Sequence, residues 1–144
     1  MLYVALSSSR VGTIVGVSSK TTGPVTLDAQ WNVSASPASI TVDPARDRLF
    51  VLVSDLQGSI LAYDDASTRT TVAPGSVSRT FTVANGFAFA PAIFLESSSD
   101  RLYVVDQNKI FIVSAAGSAN GATPSTLAQL STMNTGLTAV VVRP

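Results

Sequence analysis

A segment of about fifty residues recurs along this chain, and the recurrence limits its folds more than any other feature. The stretch RLFVLVSD at 48–55 returns as RLYVVDQ at 101–107, and an aspartate precedes each copy. The opening MLYVALSS matches the same stretch without its upstream part. The chain therefore contains related units in succession, each of which we expect to fold in the same way.

Each unit contains several short apolar segments of strand-like composition, separated by Ser, Thr, Gly and Pro. Upstream of the repeated stretch are PASITVDP (37–44), PAIFLESS (91–98) and, at the end of the chain, GLTAVVVRP (136–144). Downstream are GTIVGVSS (12–19), GSILAYDD (58–65) and KIFIVSAA (109–116). Weaker fourth segments are PVTLDAQW (24–31), SRTFTVAN (78–85) and STLAQLST (125–132). A short helical turn within 123–133 is the alternative for the last of these.

Four short antiparallel strands at this period are typical of a β-propeller blade. The sequence therefore predicts an all-β fold of three blade equivalents in a single domain. The units run from 1 to 36, 37 to 90 and 91 to 135, followed by the terminal strand 136–144. The alternative is a β-sandwich in which the segments resemble each other by chance.

The segments DPARDRLFV, SILAYDDAST and RTFTV resemble the blades of bacterial YVTN/NHL-like propellers. The third unit, which begins SSSDRLYVVDQNKIFIVSAAGS, is similar, whereas the first unit lacks the aspartate-bearing turn. The resemblance implies a propeller fold. It does not select a function, because these families include binding scaffolds as well as a few lactonases and lyases.

The order of the strands predicts how the chain assembles. With the strands of a blade labelled A to D from the centre outward, the chain is a circular permutation that reads BCD-ABCD-ABCD-A. Three blades cannot close a ring, since propellers close with about four to eight. We therefore expect a head-to-tail homodimer that forms one six-bladed ring, in which Met1–Ser7 of one chain pairs with Gly136–Pro144 of the other. The rival explanation is that the chain is a piece of a longer propeller, with no independent function.

Composition excludes several classes of partner and chemistry. The chain has no Cys and no His, which removes thiolate chemistry and the commonest general base and metal ligand. Nine basic and nine acidic residues balance, so we expect no nucleic-acid partner. No apolar run is long enough to insert into a membrane, and no signal peptide is readable. Low charge and abundant Ser and Thr favour a secreted or surface-associated bacterial protein.

Polar residues in the loops of one face are the candidates for ligand binding, because propeller ligands usually bind near the channel. A protein, a glycan or a small molecule would be the partner. The alternative is that these residues form turns and that Trp31 packs between blades. The candidates are Arg10, Trp31, Asn32, Asp55, Gln57, Asn85, Asp106, Gln107 and Asn108.

Asp43, Glu96 and Arg143 end equivalent strands in the three units. In the dimer the two copies of Asp43 and Glu96 would place four carboxylates around one mouth of the channel, and these could hold Ca²⁺, the only cofactor that the sequence suggests. The alternative is a solvated ring of charges in which Arg143 pairs with its neighbours.

The interpretation favoured by the sequence is a non-catalytic binding scaffold, since no catalytic residue can be assigned. The alternative is a carboxylate- or Ca²⁺-dependent enzyme, similar to the lactonase and lyase propellers, with its site at a channel mouth.

Overall fold

The computed structural model describes residues 1–8, 11–17, 29–54, 58–69, 76–82, 92–106, 109–114, 116–117 and 125–129. These residues form three antiparallel sheets, which confirms the predicted all-β class. Sheet I contains β1 (Leu2–Ser8), β2 (Val11–Val17) and β3 (Ala29–Val33). Sheet II contains β4 (Ser36–Asp43), β5 (Arg48–Ser54), β6 (Ser59–Asp64) and β7 (Arg79–Thr82). Sheet III contains β8 (Ala92–Glu96), β9 (Arg101–Asp106), β10 (Lys109–Val113) and β11 (Ser125–Gln129).

Neighbours in each sheet are also neighbours along the chain, so every sheet is a simple meander. The strands coincide with most of the segments expected from the sequence. The segment at 125–129 is the strand β11, which pairs with β10, and not a helical turn. The expected terminal strand 136–144 lies outside the described residues. The described residues contain no α-helix, and hence none that could span a membrane.

The first unit differs from the expectation at its boundary with the second. The sequence predicts a loop from Trp31 to Ser36 as one of the ligand-binding loops, but Trp31 and Asn32 both lie in β3, which continues to Val33. The reason is a period of two in this strand, because Ala29 and Val33 are both buried in the core beside sheet II. The connection to β4 is therefore only Ser34 and Ala35.

Strand β5 is buried on both faces, which explains its continuous apolar sequence. Leu49, Val51 and Val53 belong to a first core cluster, which lies between sheets I and II and includes Tyr3, Ile14 and Tyr63. Phe50 and Leu52 belong to a second cluster, between sheets II and III, with Phe81, Leu102 and Val104. Sheet II is thus the middle layer of three sheets packed face to face.

Two turns with the same hydrogen-bond pattern connect the first two strands of sheets II and III. Asp47 and Asp100 adopt left-handed backbone conformations, with φ of 50° and 53°. The carbonyl of Asp47 accepts from Ala66 N at 3.0 Å, and that of Asp100 accepts from Ala116 N at 2.9 Å. Their carboxylates accept from Ser67 N at 2.9 Å and Gly117 N at 2.8 Å. Aspartate tolerates this backbone region better than most residues, so its presence directly before each repeated arginine has a structural reason.

Candidate functional site

The far face of sheet I, which points away from sheet II, is apolar and exposed. Along β1, Tyr3 and Ala5 pack on the first core cluster, so Leu2, Val4 and Leu6 point the other way. The exposed fractions of these three side chains are 59%, 37% and 51%. Val15 of β2 lies opposite Val4 in the strand register and on the same face, but it is only 7% exposed. We call this surface the sheet I end face.

The far face of sheet III is also apolar, but it carries aromatic rings. Leu102 and Val104 of β9 point into the second core cluster, so Tyr103 and Val105 point away from it. The register places Phe94 and Ile112 opposite Tyr103, and Ile110 opposite Val105. Phe94, Ile110 and Ile112 are half-buried, whereas Tyr103 and Val105 are buried, with exposed fractions of 9% and 0%. We call this surface the sheet III end face.

An ionic network ties sheet II to sheet III at one end of their interface. The Nη2 atom of Arg48 lies 2.5 Å from Asp43 Oδ2 in its own sheet and 2.5 Å from Asp100 Oδ1 in the turn of sheet III. The guanidinium also lies over the Phe50 ring, 5.5 Å from its centroid. Arg48 and Asp43 are 4% and 0% exposed, so this pair is removed from water. We call Asp43, Arg48 and Asp100 the inter-sheet bridge.

Further donors complete the bridge around Asp43. Ser97 Oγ donates to Asp43 Oδ1 at 2.6 Å, and Arg46 Nη1 lies 3.3 Å from Oδ2. Burial raises the pKa of Asp43, but the hydrogen bonds from Ser97, Arg48 and Arg46 outweigh it and hold the pKa below the ordinary value. The pKa of Asp100 is lowered in the same way. Burial raises it, but the hydrogen bonds from Arg48 and Gly117 N lower it by more.

The two residues expected to bind Ca²⁺ have different surroundings. Both occupy the same register position, because Asp43 is opposite Arg48 and Glu96 is opposite Arg101. Glu96 accepts hydrogen bonds from the hydroxyls of Ser99 and Tyr103, which lower its pKa in spite of a smaller opposing effect of desolvation. Of the two oxygens that Asp43 would offer a cation, Oδ2 already accepts from two guanidinium groups and Oδ1 accepts from the Ser97 hydroxyl. Within the described part of the chain, no three acidic residues are grouped as metal ligands.

Most of the residues predicted to bind a ligand are not described. Asp106 is 7% exposed at the end of β9, and Lys109 of β10 lies opposite it in the strand register. The side chain of Asn32 is exposed and accepts from Thr13 Oγ1 at 3.3 Å. Trp31 is described only through its backbone in β3. Arg10, Asp55, Gln57, Asn85, Gln107, Asn108 and the charge-ring residue Arg143 lie outside the described residues.

A cleft of about 260 Å³ opens between sheets I and II, on the side of their last strands. Its polar lining residues are Asn32, Ser34, Ser59 and Thr80. Of these, the sequence indicated only Asn32, and it indicated that residue as part of a loop. Isolated Ser and Thr residues in strands give no signal of a shared cavity, because the cleft depends on the spacing between two sheets.

Comparison of the chain with protein-family models, with curated proteins and with solved structures gives no match.

Proposed function

We propose that this protein is a non-catalytic β-propeller scaffold in which each sheet is a blade and two chains join head to tail in a six-bladed ring. The observation that carries the proposal is the relation between the two end faces and the faces buried inside the chain. The sheet I end face resembles the face of sheet II that packs on sheet I, and the sheet III end face resembles the face of sheet II that packs on sheet III. These two faces of sheet II carry different side chains.

The two faces of strand β5 differ, because it presents only aliphatic side chains to sheet I and a phenylalanine to sheet III. Both cores are mixed, since Tyr63 also faces sheet I and Leu52 and Ile60 also face sheet III. Leu49, Val51 and Val53 point towards sheet I, whereas Phe50 and Phe81 point towards sheet III. The sheet I end face repeats the aliphatic pattern with Leu2, Val4 and Leu6. The sheet III end face repeats the aromatic pattern with Tyr103 and Phe94.

In the proposed ring the sheet III end face of one chain meets the sheet I end face of the other, in the order in which sheets meet within the chain. A dimer about a twofold axis then has two identical junctions. The exposed patch of Leu2, Val4 and Leu6 is of a kind that is uncommon on monomeric proteins, and a partner would cover it.

Strand β1 offers the dimer a second type of contact. Within the described residues, β1 pairs with β2 and has no other strand neighbour. In the proposed ring, residues 136–144 of one chain lie beside β1 of the other and complete a four-stranded blade. Both oxygens of the buried Asp43 carboxylate accept hydrogen bonds, Oδ2 from arginines and Oδ1 from Ser97, which supports a structural role for this charged group rather than a catalytic one.

The experiment that tests the proposal is size-exclusion chromatography with multi-angle light scattering across a range of micromolar concentrations. We expect one species with twice the chain mass of 14.9 kDa. Circular dichroism of the same sample should show β-structure. A folded species at the mass of a single chain would overturn the ring, as would a continuous series of larger species, which an open head-to-tail assembly produces.

A further inference from the structure

The cleft between sheets I and II has an amphipathic lining. Its apolar part consists of Val33, Leu61, Tyr63 and Val77, of which the first three belong to the first core cluster. The polar part consists of the hydroxyls of Ser34, Ser59 and Thr80 and the amide of Asn32. An apolar side made by the core and a polar side made by short side chains therefore face the same space.

The described part of the cleft lining carries no charged side chain, since none of its residues is Asp, Glu, Lys or Arg. Its one titratable side chain is Tyr63, whose pKa burial raises to about 12, against a smaller opposing effect of Arg69. The Tyr63 phenol therefore stays neutral at physiological pH. A charged ligand would lose its hydration in this cleft without gaining an ionic partner.

We propose that the cleft binds a small uncharged molecule that carries several hydroxyl groups on a compact ring, of the size of a monosaccharide. Such a molecule has C–H surfaces that match Leu61 and Val33, and hydroxyls that can exchange hydrogen bonds with Ser59, Thr80 and Asn32. The volume of about 260 Å³ lies below that of pockets for drug-sized ligands, which favours a ligand of one ring.

Most of the wall of the cleft comes from strands, and only Ser34 and Val77 of the described lining lie in connections. Asn32 and Val33 lie in β3, Ser59 and Leu61 in β6, and Thr80 in β7. Core packing and the strand ladders fix these positions before a ligand arrives, which reduces the entropy cost of binding. The site lies within one chain and does not depend on the assembly of two.

Saturation-transfer NMR and calorimetry on the full chain would test the site with three kinds of probe. The first is a set of neutral monosaccharides and inositol, and the second is glucuronate, which adds a carboxylate to the same ring. The third is cyclohexanemethanol, which keeps a ring but has a single hydroxyl. We expect at least one neutral polyol to bind with a Kd on the order of millimolar, and both other probes to bind at least about tenfold more weakly.

Two threonine substitutions in sheet II would locate the binding. Thr80→Val removes one hydroxyl of the lining with little change of shape, and we expect it to weaken polyol binding at least about fivefold. Thr41→Val, which lies in β4 opposite Phe50 and so on the other face of sheet II, should leave the Kd unchanged. Circular dichroism would verify that both variants fold. The proposal is overturned if no neutral polyol binds, if glucuronate or cyclohexanemethanol binds equally well, or if the two variants have the same Kd.

Discussion

Arg48 in β5 donates to Asp100 across the boundary between sheets II and III, with 2.5 Å between Nη2 and Oδ1. The same nitrogen also donates a hydrogen bond to the carboxylate of Asp43, which is completely buried. Loss of the guanidinium would leave the Asp43 carboxylate in a dry environment with only Ser97 and the more distant Arg46 as donors. A buried charge without its partner is among the most costly defects in a folded protein.

We therefore expect Arg48→Met to lower the free energy of unfolding by about 3–5 kcal/mol. Arg101→Met is the matched control, because Arg101 has the equivalent register position in sheet III but is exposed. It should change stability by less than about 1 kcal/mol. Urea denaturation followed by circular dichroism would measure both. Similar losses for the two variants would mean that the burial of the bridge is not what stabilises the interface.

The inter-sheet bridge also makes the stability of the fold depend on pH in the acidic range. The pKa of Asp43 in the folded protein is below the ordinary value of 3.8, so ionisation of Asp43 stabilises the fold at pH above about 4. This contribution is lost as the pH falls through 3.8 towards the folded pKa. We expect urea midpoints to fall steeply below pH 4. Asp43→Asn should be less stable than the natural chain at pH 7 but should have the flatter profile in acid, and parallel profiles would contradict this assignment.

Alkali acts on a different group, the phenol of Tyr63 in the first core cluster. Burial raises its pKa from 10.0 to about 12, because the folded chain disfavours the tyrosinate. The neutral form therefore stabilises the fold below pH 10, and this contribution is lost as the pH rises from 10 to 12. A shift of this size corresponds to about 3 kcal/mol. We expect Tyr63→Phe to be less sensitive to pH over this interval in thermal melts, and an unchanged sensitivity would refute the role of Tyr63.

Gly117 is placed where a side chain cannot fit without disturbing the bridge. A Cβ atom at this position would overlap the guanidinium of Arg48 and approach the carboxylate of Asp100. Gly117→Ala should therefore destabilise the protein by about 1–3 kcal/mol. Ser114→Ala, at an exposed position nearby in the chain, should be nearly neutral. The melting temperatures of the two variants test this, and an unaffected Gly117→Ala would show that Arg48 can move at no cost.

The proposed ring predicts the effect of a charge on the sheet I end face. Val4→Asp places a carboxylate at the centre of the aliphatic junction, where it would be buried without a partner. Because Val4 is already 37% exposed in the single chain, the fold itself should tolerate the change. Light scattering should then give the mass of one chain. Ser98→Asp, in an exposed turn of sheet III, should remain dimeric. A Val4→Asp variant that stays dimeric would exclude this face from the interface.

Much of the fold could be predicted because the deciding information is local. The alternation of β8 and the uninterrupted apolar run of β5 each reflect the surroundings of a single strand. The inter-sheet bridge could not be predicted in this way. Asp43 and Asp100 stand out as acidic residues at strand ends, but nothing in the sequence shows that Arg48 joins them across 52 positions.

The candidate site was less predictable for the same reason. Asn32 was chosen as a polar residue of a loop, yet it lies in β3 and lines the cleft between two sheets. Ser59 and Thr80 attract no attention in the sequence, because hydroxyl side chains are common in strands of any function. Their importance comes from the distance between the sheets, which is a property of the packing and not of either strand.

The position of β5 between two cores has an evolutionary consequence. Its odd-numbered side chains from Leu49 to Val53 fill one core, and Phe50 and Leu52 fill the other. A single-codon insertion within this strand would send every following side chain to the opposite core and would damage both at once. Insertions and deletions should therefore accumulate in the loops between the strands, and an alignment of homologous sequences should show no gap within β5.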